Sequence, residues 1–199
     1  MSPKNEARIE WNIGRLRAGA IVNVRGTALR SKLIRAALAN SWSNHDALLI
    51  AHGGKWWIGD AEPPRARLTP LEAYSTDWAK GLRFRVLWPE GATEADGQAA
   101  ADWWLQHVLG KPYDLAGMFG TLATVRLLAK VVTAKTGIPW PEQWHWAWYC
   151  TESVVGAWSS GAGRDVWQNP HPTPRTTENR LASGALRDIT AEAICVRPE

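Results

Sequence analysis

The sequence predicts an α+β domain in which a small antiparallel sheet packs against helices, and three observations carry that prediction. Two strand-like runs, His45 to His52 and Lys55 to Ala61, meet at Gly53-Gly54, and Pro63-Pro64 stop the second. A third run, Leu82 to Trp88, alternates apolar residues with outward Arg83 and Arg85 and ends at Pro89 and Gly91. Helical periodicity marks Glu94 to Leu109 and the segment that begins at Cys150.

Taken in order, Asn5 to Arg17 fits a short helix, and Ala20 to Arg25 reads as a strand ending at Gly26. Leu29, Leu33, Ile34, Ala37 and Leu38 recur at one-face spacing, which predicts an amphipathic helix ending near Asn40. The helix at Glu94 is acidic in its first turn, as the helix dipole favours, and Gly110-Lys111-Pro112 breaks it. Gly117 to Lys135 again follows a helical pattern, but Arg126 and Lys130 lie inside its apolar run, which excludes a membrane span. Gly137 to Trp148 is loop-like, with two prolines and four tryptophans. Residues 117–148 therefore read as a helical, Trp-rich insertion in a single domain spanning residues 1–199. From Cys150, Val154, Ala157 and Trp158 share one helical face. The tail offers a Pro/Asn-rich loop, a short helix at Thr177 to Ser183 and a last strand around Ala193 to Arg197.

Composition narrows the function classes. Hydrophobic residues at 45% and charged residues at 21% describe a folding chain. The two cysteines, Cys150 and Cys195, cannot build a disulfide framework, and no CxxC pair of zinc-site type occurs. No HExxH spacing favours a metal hydrolase, and no glycine-rich phosphate loop or dinucleotide fingerprint is present, so no cofactor is expected. The net charge of +4 comes from scattered basic residues, which does not favour nucleic-acid binding. Without a signal-like N-terminus or a transmembrane segment, the chain is expected to be soluble and cytoplasmic when synthesised. The 14 Trp residues stand out against 3 Tyr and 2 Phe, and they suit either core filling or a contact surface.

Cys150 is the candidate nucleophile. Unpaired N–H groups at a helix start stabilise a thiolate and an oxyanion, although a lone cysteine on an apolar face also serves as a small buried hydrophobe. A nucleophilic thiol needs an oriented base, and five histidines compete. His45 shares its strand face with Ala47, Leu49 and Ala51, so a rigid sheet would project it onto a packed helix. His52 has the opposite parity beside the turn. His107 lies late in a helix, His171 in a Pro-rich loop, and His145 five residues before Cys150, where it could line the site.

The segments AIVNVRGTALRSKLIRAAL, NHDALLI, WWIGDAEPP, GKPYDLAG, WYCTESVVGAW and PTPRTTENRLASGAL follow one another in a telling order. Together they resemble the circularly permuted NlpC/P60 branch of papain-like enzymes, the YiiX-type group, from about residue 19 to 197. Ordinary papain-type enzymes place cysteine before histidine; here His45 precedes Cys150, as the permuted order requires. The resemblance implies a permuted papain-like fold, with Cys150 as nucleophile and His45 as general base. Its third member would be Asp60, with Glu62 in reserve, because the family has a Glu-Ala where this chain has Asp60-Ala61. Tyr113 and Asp114 match the family's Tyr-Asp element, and Tyr149 could orient the site through its hydroxyl. Departures are Asn44 and Thr151 where the family has Ser, Asp60 in place of Glu, and the insertion.

What the resemblance implies is a thiol peptidase or amidase that cleaves an amide or ester, with cell-wall peptidoglycan as the family's substrate class. The alternative is an interaction module of an assembly such as a phage tail tip, virion-associated and using the Trp-rich region against a protein partner.

Overall fold

The computed structural model describes residues 8–38, 40–114, 149–169 and 172–197. The expected insertion at 117–148 lies outside the described residues, as do His145 and His171. Six strands form one antiparallel sheet in the order β5-β4-β3-β2-β6-β7. These are β2 (Ile21–Arg25), β3 (His45–His52), β4 (Lys55–Asp60), β5 (Arg67–Pro70), β6 (Arg83–Pro89) and β7 (Leu186–Asp188). A separate pair joins β1 (Arg8–Trp11) to β8 (Ile194–Arg197). The helices are α1 (Leu29–Ala37), α2 (Leu71–Ala79), α3 (Glu94–His107), α4 (Cys150–Gly156), α5 (Pro174–Ala182) and the short α6 (Thr190–Ala193). The mixed α+β architecture with an antiparallel sheet is the one the sequence predicts.

Register decides which side chains share a face. Pairing of Val22 with Ala47 and Val86, and of Leu49 with Ile58, puts these apolar residues on one side together with Val24, His45 and Phe84. Trp11 of β1 stacks on Phe84 at 5.1 Å, and Tyr74 and Trp78 of α2 meet the same ring edge-on. The opposite side carries Ile21, Asn23, Asp46, Leu48 and Leu87. There α3 brings Trp104 against Gly59, where a Cβ would stand 3.2 Å from the indole.

Two expectations fail. Residues 8–15 are not helical: Arg8–Trp11 is a strand paired with β8, followed by one 3-10 turn. Its partner lies more than 180 residues away in the sequence, and that pairing overrides local periodicity. The second concerns α1, which forms as expected but does not bury its leucines: Leu29 is 73% and Leu33 62% exposed, while Ser31 is buried. Polar anchors set this rotation, because Ser31 presses against Gly26 and Arg35 Nη1 donates to the Gly26 carbonyl at 2.6 Å.

Two further helices begin on built caps. For α3, the Thr93 hydroxyl accepts from Asp96 N and the Asp96 carboxylate accepts from Thr93 N. For α5, Thr173 caps and Pro174 occupies the first turn, so this helix starts three residues before the expected Thr177. None of the described tryptophans is exposed; Trp88, Trp104, Trp158 and Trp167 are fully enclosed. The other six described indoles are half-buried, and Trp140, Trp144, Trp146 and Trp148 lie outside the described residues.

Gly97 marks the tightest approach of α3 to the chain entering β2. A Cβ there would stand 2.2 Å from the Ala18 carbonyl oxygen and 2.4 Å from the Trp88 ring. Alanine favours a helix over glycine by about 1 kcal/mol, yet the clash dominates. Gly97→Ala is expected to lower stability by about 2 kcal/mol in urea unfolding; a stabilised variant would contradict this packing.

Candidate active site

The β3–β4 hairpin builds the first half of the site. Gly53 and Gly54 take φ of +59° and +71°, the left-handed pair that a two-residue turn of the right twist requires. The turn fixes His52 opposite Lys55 and Leu48 opposite Gly59, so His45 at the start of β3 and Asp60 at the end of β4 become diagonal neighbours on one face. His45 Nε2 and Asp60 Oδ1 are 3.0 Å apart, and both side chains are buried. Tyr74 of α2 donates its hydroxyl to the same Oδ1 at 2.7 Å. Sequence reasoning missed Tyr74 because α2 itself carries no strong pattern.

The second half comes from α4. Cys150, 5% exposed, is its first residue, and its negative charge is felt by the His45 ring. The link between the halves is Asp46, fully buried on the opposite face from His45. Its Oδ1 accepts from Asn23 Nδ2 at 2.7 Å, while Oδ2 accepts from the hydroxyls of Thr151 at 2.7 Å and Thr177 at 2.9 Å. Burial raises the Asp46 carboxyl above its usual range, and the three donors work against that rise. Asp46, Thr151 and Thr177 thus tie β2, β3, α4 and α5 together. An aspartate following the candidate histidine was the available signal.

Residues 41–43, which lead into β3, are held by Glu178 of α5. Its carboxylate accepts from the N–H of Trp42 at 3.2 Å and of Ser43 at 2.7 Å, and from the hydroxyls of Ser41 and Ser43. Burial would raise this carboxyl, but these donors keep it below its ordinary value. Asn44 Oδ1 then accepts from Gly26 N at 2.7 Å.

Other candidates fall around this frame. Glu62 pairs with Arg67 at 3.2 Å rather than with the ring, although its negative charge reaches His45. Tyr113 lies against Cys150; burial and the neighbouring thiolate charge push its hydroxyl far above the usual phenol range. Its N–H donates to Pro64 O at 3.1 Å, which ties residues 110–113 to the chain after β4. Tyr149 is buried and donates its hydroxyl to Pro172 O at 2.8 Å, a bond that holds the residue before the nucleophile. His52 and His107 are exposed, and His107 rests on Trp103. Cys195 is exposed on β8, and both cysteines are free.

For His45, burial acts to lower the imidazole value. The bond to Asp60 and the negative charge of Cys150 outweigh it, so the ring is raised well above its ordinary value. This arrangement favours a protonated imidazole.

Fold and site define an α+β protein whose sheet carries a buried His–Asp pair facing a helix-borne cysteine. No family model matches the sequence, and no curated protein matches it. A solved structure that is similar is metalloprotein YiiX from Escherichia coli O157:H7, at a TM-score of 0.54 and 18% identity over 92% of this chain and 90% of that one. The chain therefore has the YiiX-type fold. Among the described residues, no three His, Cys, Asp or Glu side chains converge as a metal site requires. No helix of the described residues is long and apolar enough to cross a membrane.

Glu152 gives a pH test of this interior. Burial pushes its carboxyl up to about 7; the Tyr149 N–H opposes that rise and the Asp114 charge adds to it. Between the ordinary 4.5 and about 7 the folded chain holds more protons than the unfolded one. Stability therefore falls as pH rises through that window, by up to about 3 kcal/mol. The raised His45 extends the fall above 6.5, since its contribution is complete below that value and is lost through its folded value. Glu152→Gln is expected to flatten the slope between pH 4.5 and 7 in denaturant titrations; an unchanged slope would remove Glu152 from this account.

Proposed function

We propose that this chain is a thiol hydrolase of the permuted papain-like, NlpC/P60 type that cleaves an amide or ester bond. The single observation that carries the reading is a buried imidazole bonded to Asp60, with Cys150 at the start of α4 acting on the same ring. Asp60 holds Nε2–H, which leaves Nδ1 as the nitrogen for the thiol's proton. The Cys150 thiolate attacks the carbonyl carbon, and the C–N or C–O bond breaks as His45 protonates the leaving group. A thioester on Cys150 remains. His45 then takes a proton from water, whose oxygen attacks the thioester; the acid leaves and the thiol is restored.

Each neighbour has a defined task. Asp60 fixes the ring tautomer and stabilises the imidazolium, and Tyr74 fixes Asp60. Tyr113, kept protonated beside the thiol, is a hydroxyl donor next to the reacting sulfur. The similar solved structure is called a metalloprotein, and that name supplies no substrate for this chain. Peptidoglycan stem peptides are the substrate class to assay first, because the resemblance of the sequence implies it.

Alkylation kinetics read by mass spectrometry test the pair directly. Cys150 is expected to label with iodoacetamide near pH 6, at least about tenfold faster than exposed Cys195, and to lose that advantage in His45→Ala. Labelling of both thiols only above about pH 8 would overturn the ion pair. On any amide or ester the protein hydrolyses, Cys150→Ala is expected to lower kcat by about 1,000-fold or more; retained turnover would refute the mechanism.

A further inference from the structure

A second concavity lies on the other side of residues 40–44 from the His45–Asp60 pair. It encloses about 520 Å³ and is lined by Arg25 of β2, Lys32 and Arg35 of α1, Trp42, and Arg175 and Glu178 of α5. Four cations thus face one space with a single carboxylate. That carboxylate is already used: Glu178 accepts from Ser41, Trp42 and Ser43 and stands 3.9 Å from Arg175 Nη1. Among the described residues, Arg25, Lys32 and Arg35 pair with no carboxylate.

The wall is as specific as the charge. Arg25 and Arg85 both lie over the Trp42 indole, at 6.0 Å and 4.2 Å from its centroid, which holds two guanidinium planes in place without neutralising them. Arg35 is fixed through its bond to Gly26 O. Burial and the nearby charge of Arg25 both lower its guanidinium value, the mark of cations crowded without a counter-ion.

From this geometry we infer that the concavity is a binding site for a phosphoryl group, separate from the site at Cys150. A lone carboxylate ligand would leave most of the cations unmatched. A phosphate ester near two negative charges offers three oxygens to guanidiniums arriving from three directions. The ligand is either a soluble phosphate ester or a phosphate carried on a lipid. Leu29 and Leu33, exposed on the same helix as Lys32 and Arg35, make the lipid-borne source worth a separate arm.

The test uses the full chain at low salt, with inorganic pyrophosphate as probe in isothermal titration calorimetry. Binding of one equivalent with Kd of about 0.1–1 mM is expected. Arg25→Gln and Arg175→Gln should each weaken it about tenfold, whereas Lys55→Gln at the hairpin turn should leave it unchanged. Both arginines are exposed at their tips, and thermal melts check that the variants stay folded. Vesicles of about four parts phosphatidylcholine to one part phosphatidic acid distinguish the sources, with phosphatidylcholine alone as control. Vesicle binding displaced by pyrophosphate assigns a lipid-borne phosphate, and pyrophosphate binding without vesicle binding assigns a soluble ester. Failure of the wild type to bind either probe, or equal loss in Lys55→Gln, overturns the inference.

Discussion

One buried carboxylate governs the distance on which the site depends. Successive residues of a strand point to opposite faces, so His45 and Asp46 deliver their side chains to the two sides of the sheet. The imidazole reaches Asp60 on one side, while Asp46 on the other accepts from Thr151, the residue after Cys150. The separation of thiol and ring is therefore set by a rigid dipeptide and one hydrogen bond. Thr177 and Asn23 complete the shell. Removing Asp46 would strand three buried donors, each at about 1–3 kcal/mol, which outweighs the desolvation that keeping the carboxylate demands. A rigid placement of this kind is what a nucleophile and base need before any substrate arrives.

The same logic of opposing terms sets the charge state at the ring. Burial acts to lower the His45 value, and the bond to Asp60 with the negative charge of Cys150 outweighs it. Because Oδ1 of Asp60 also takes the Tyr74 proton, the carboxylate cannot turn away from the ring without breaking a second buried bond. On the other flank, Tyr113 remains a neutral hydroxyl because burial and thiolate charge act in the same direction. Three elements of different sequence origin, α2, α4 and residues 110–113, converge on two atoms. The placement of the ring follows from this convergence rather than from any one residue.

How much of this was readable from the chain alone depends on the range of the determining contact. Local signals worked: Gly53-Gly54 between alternating runs placed His45 and Asp60 on one hairpin, and apolar spacing placed Cys150 at a helix start. Long-range partners did not announce themselves. The strand Arg8–Trp11 exists only because β8 pairs with it, and α2 is a short helix of weak amphipathicity whose Tyr74 acquires meaning only beside Asp60. The orientation of α1 is set by long-range contacts of the same kind. Its leucine stripe obeys the period of a buried face, yet Ser31 against Gly26 and Arg35 on the Gly26 carbonyl turn that stripe outward. Tryptophan content was ambiguous in the sequence, and in the described residues packing resolves it toward the interior.

The orientation of α1 links the two concavities. Gly26 is gripped from both sides, its N–H by Asn44 and its carbonyl by Arg35, while Glu178 fastens residues 41–43 to α5. These bonds anchor the segment that leads into His45 and so place the ring. They also roll α1 until Lys32 and Arg35 face Arg25 and Arg175 across Trp42. Mutual repulsion among these cations opposes the arrangement, and the bonds at Gly26 and Glu178 offset it. Residues 40–44 thus join the wall of the cationic concavity to the strand that carries His45, by contacts present in the free chain.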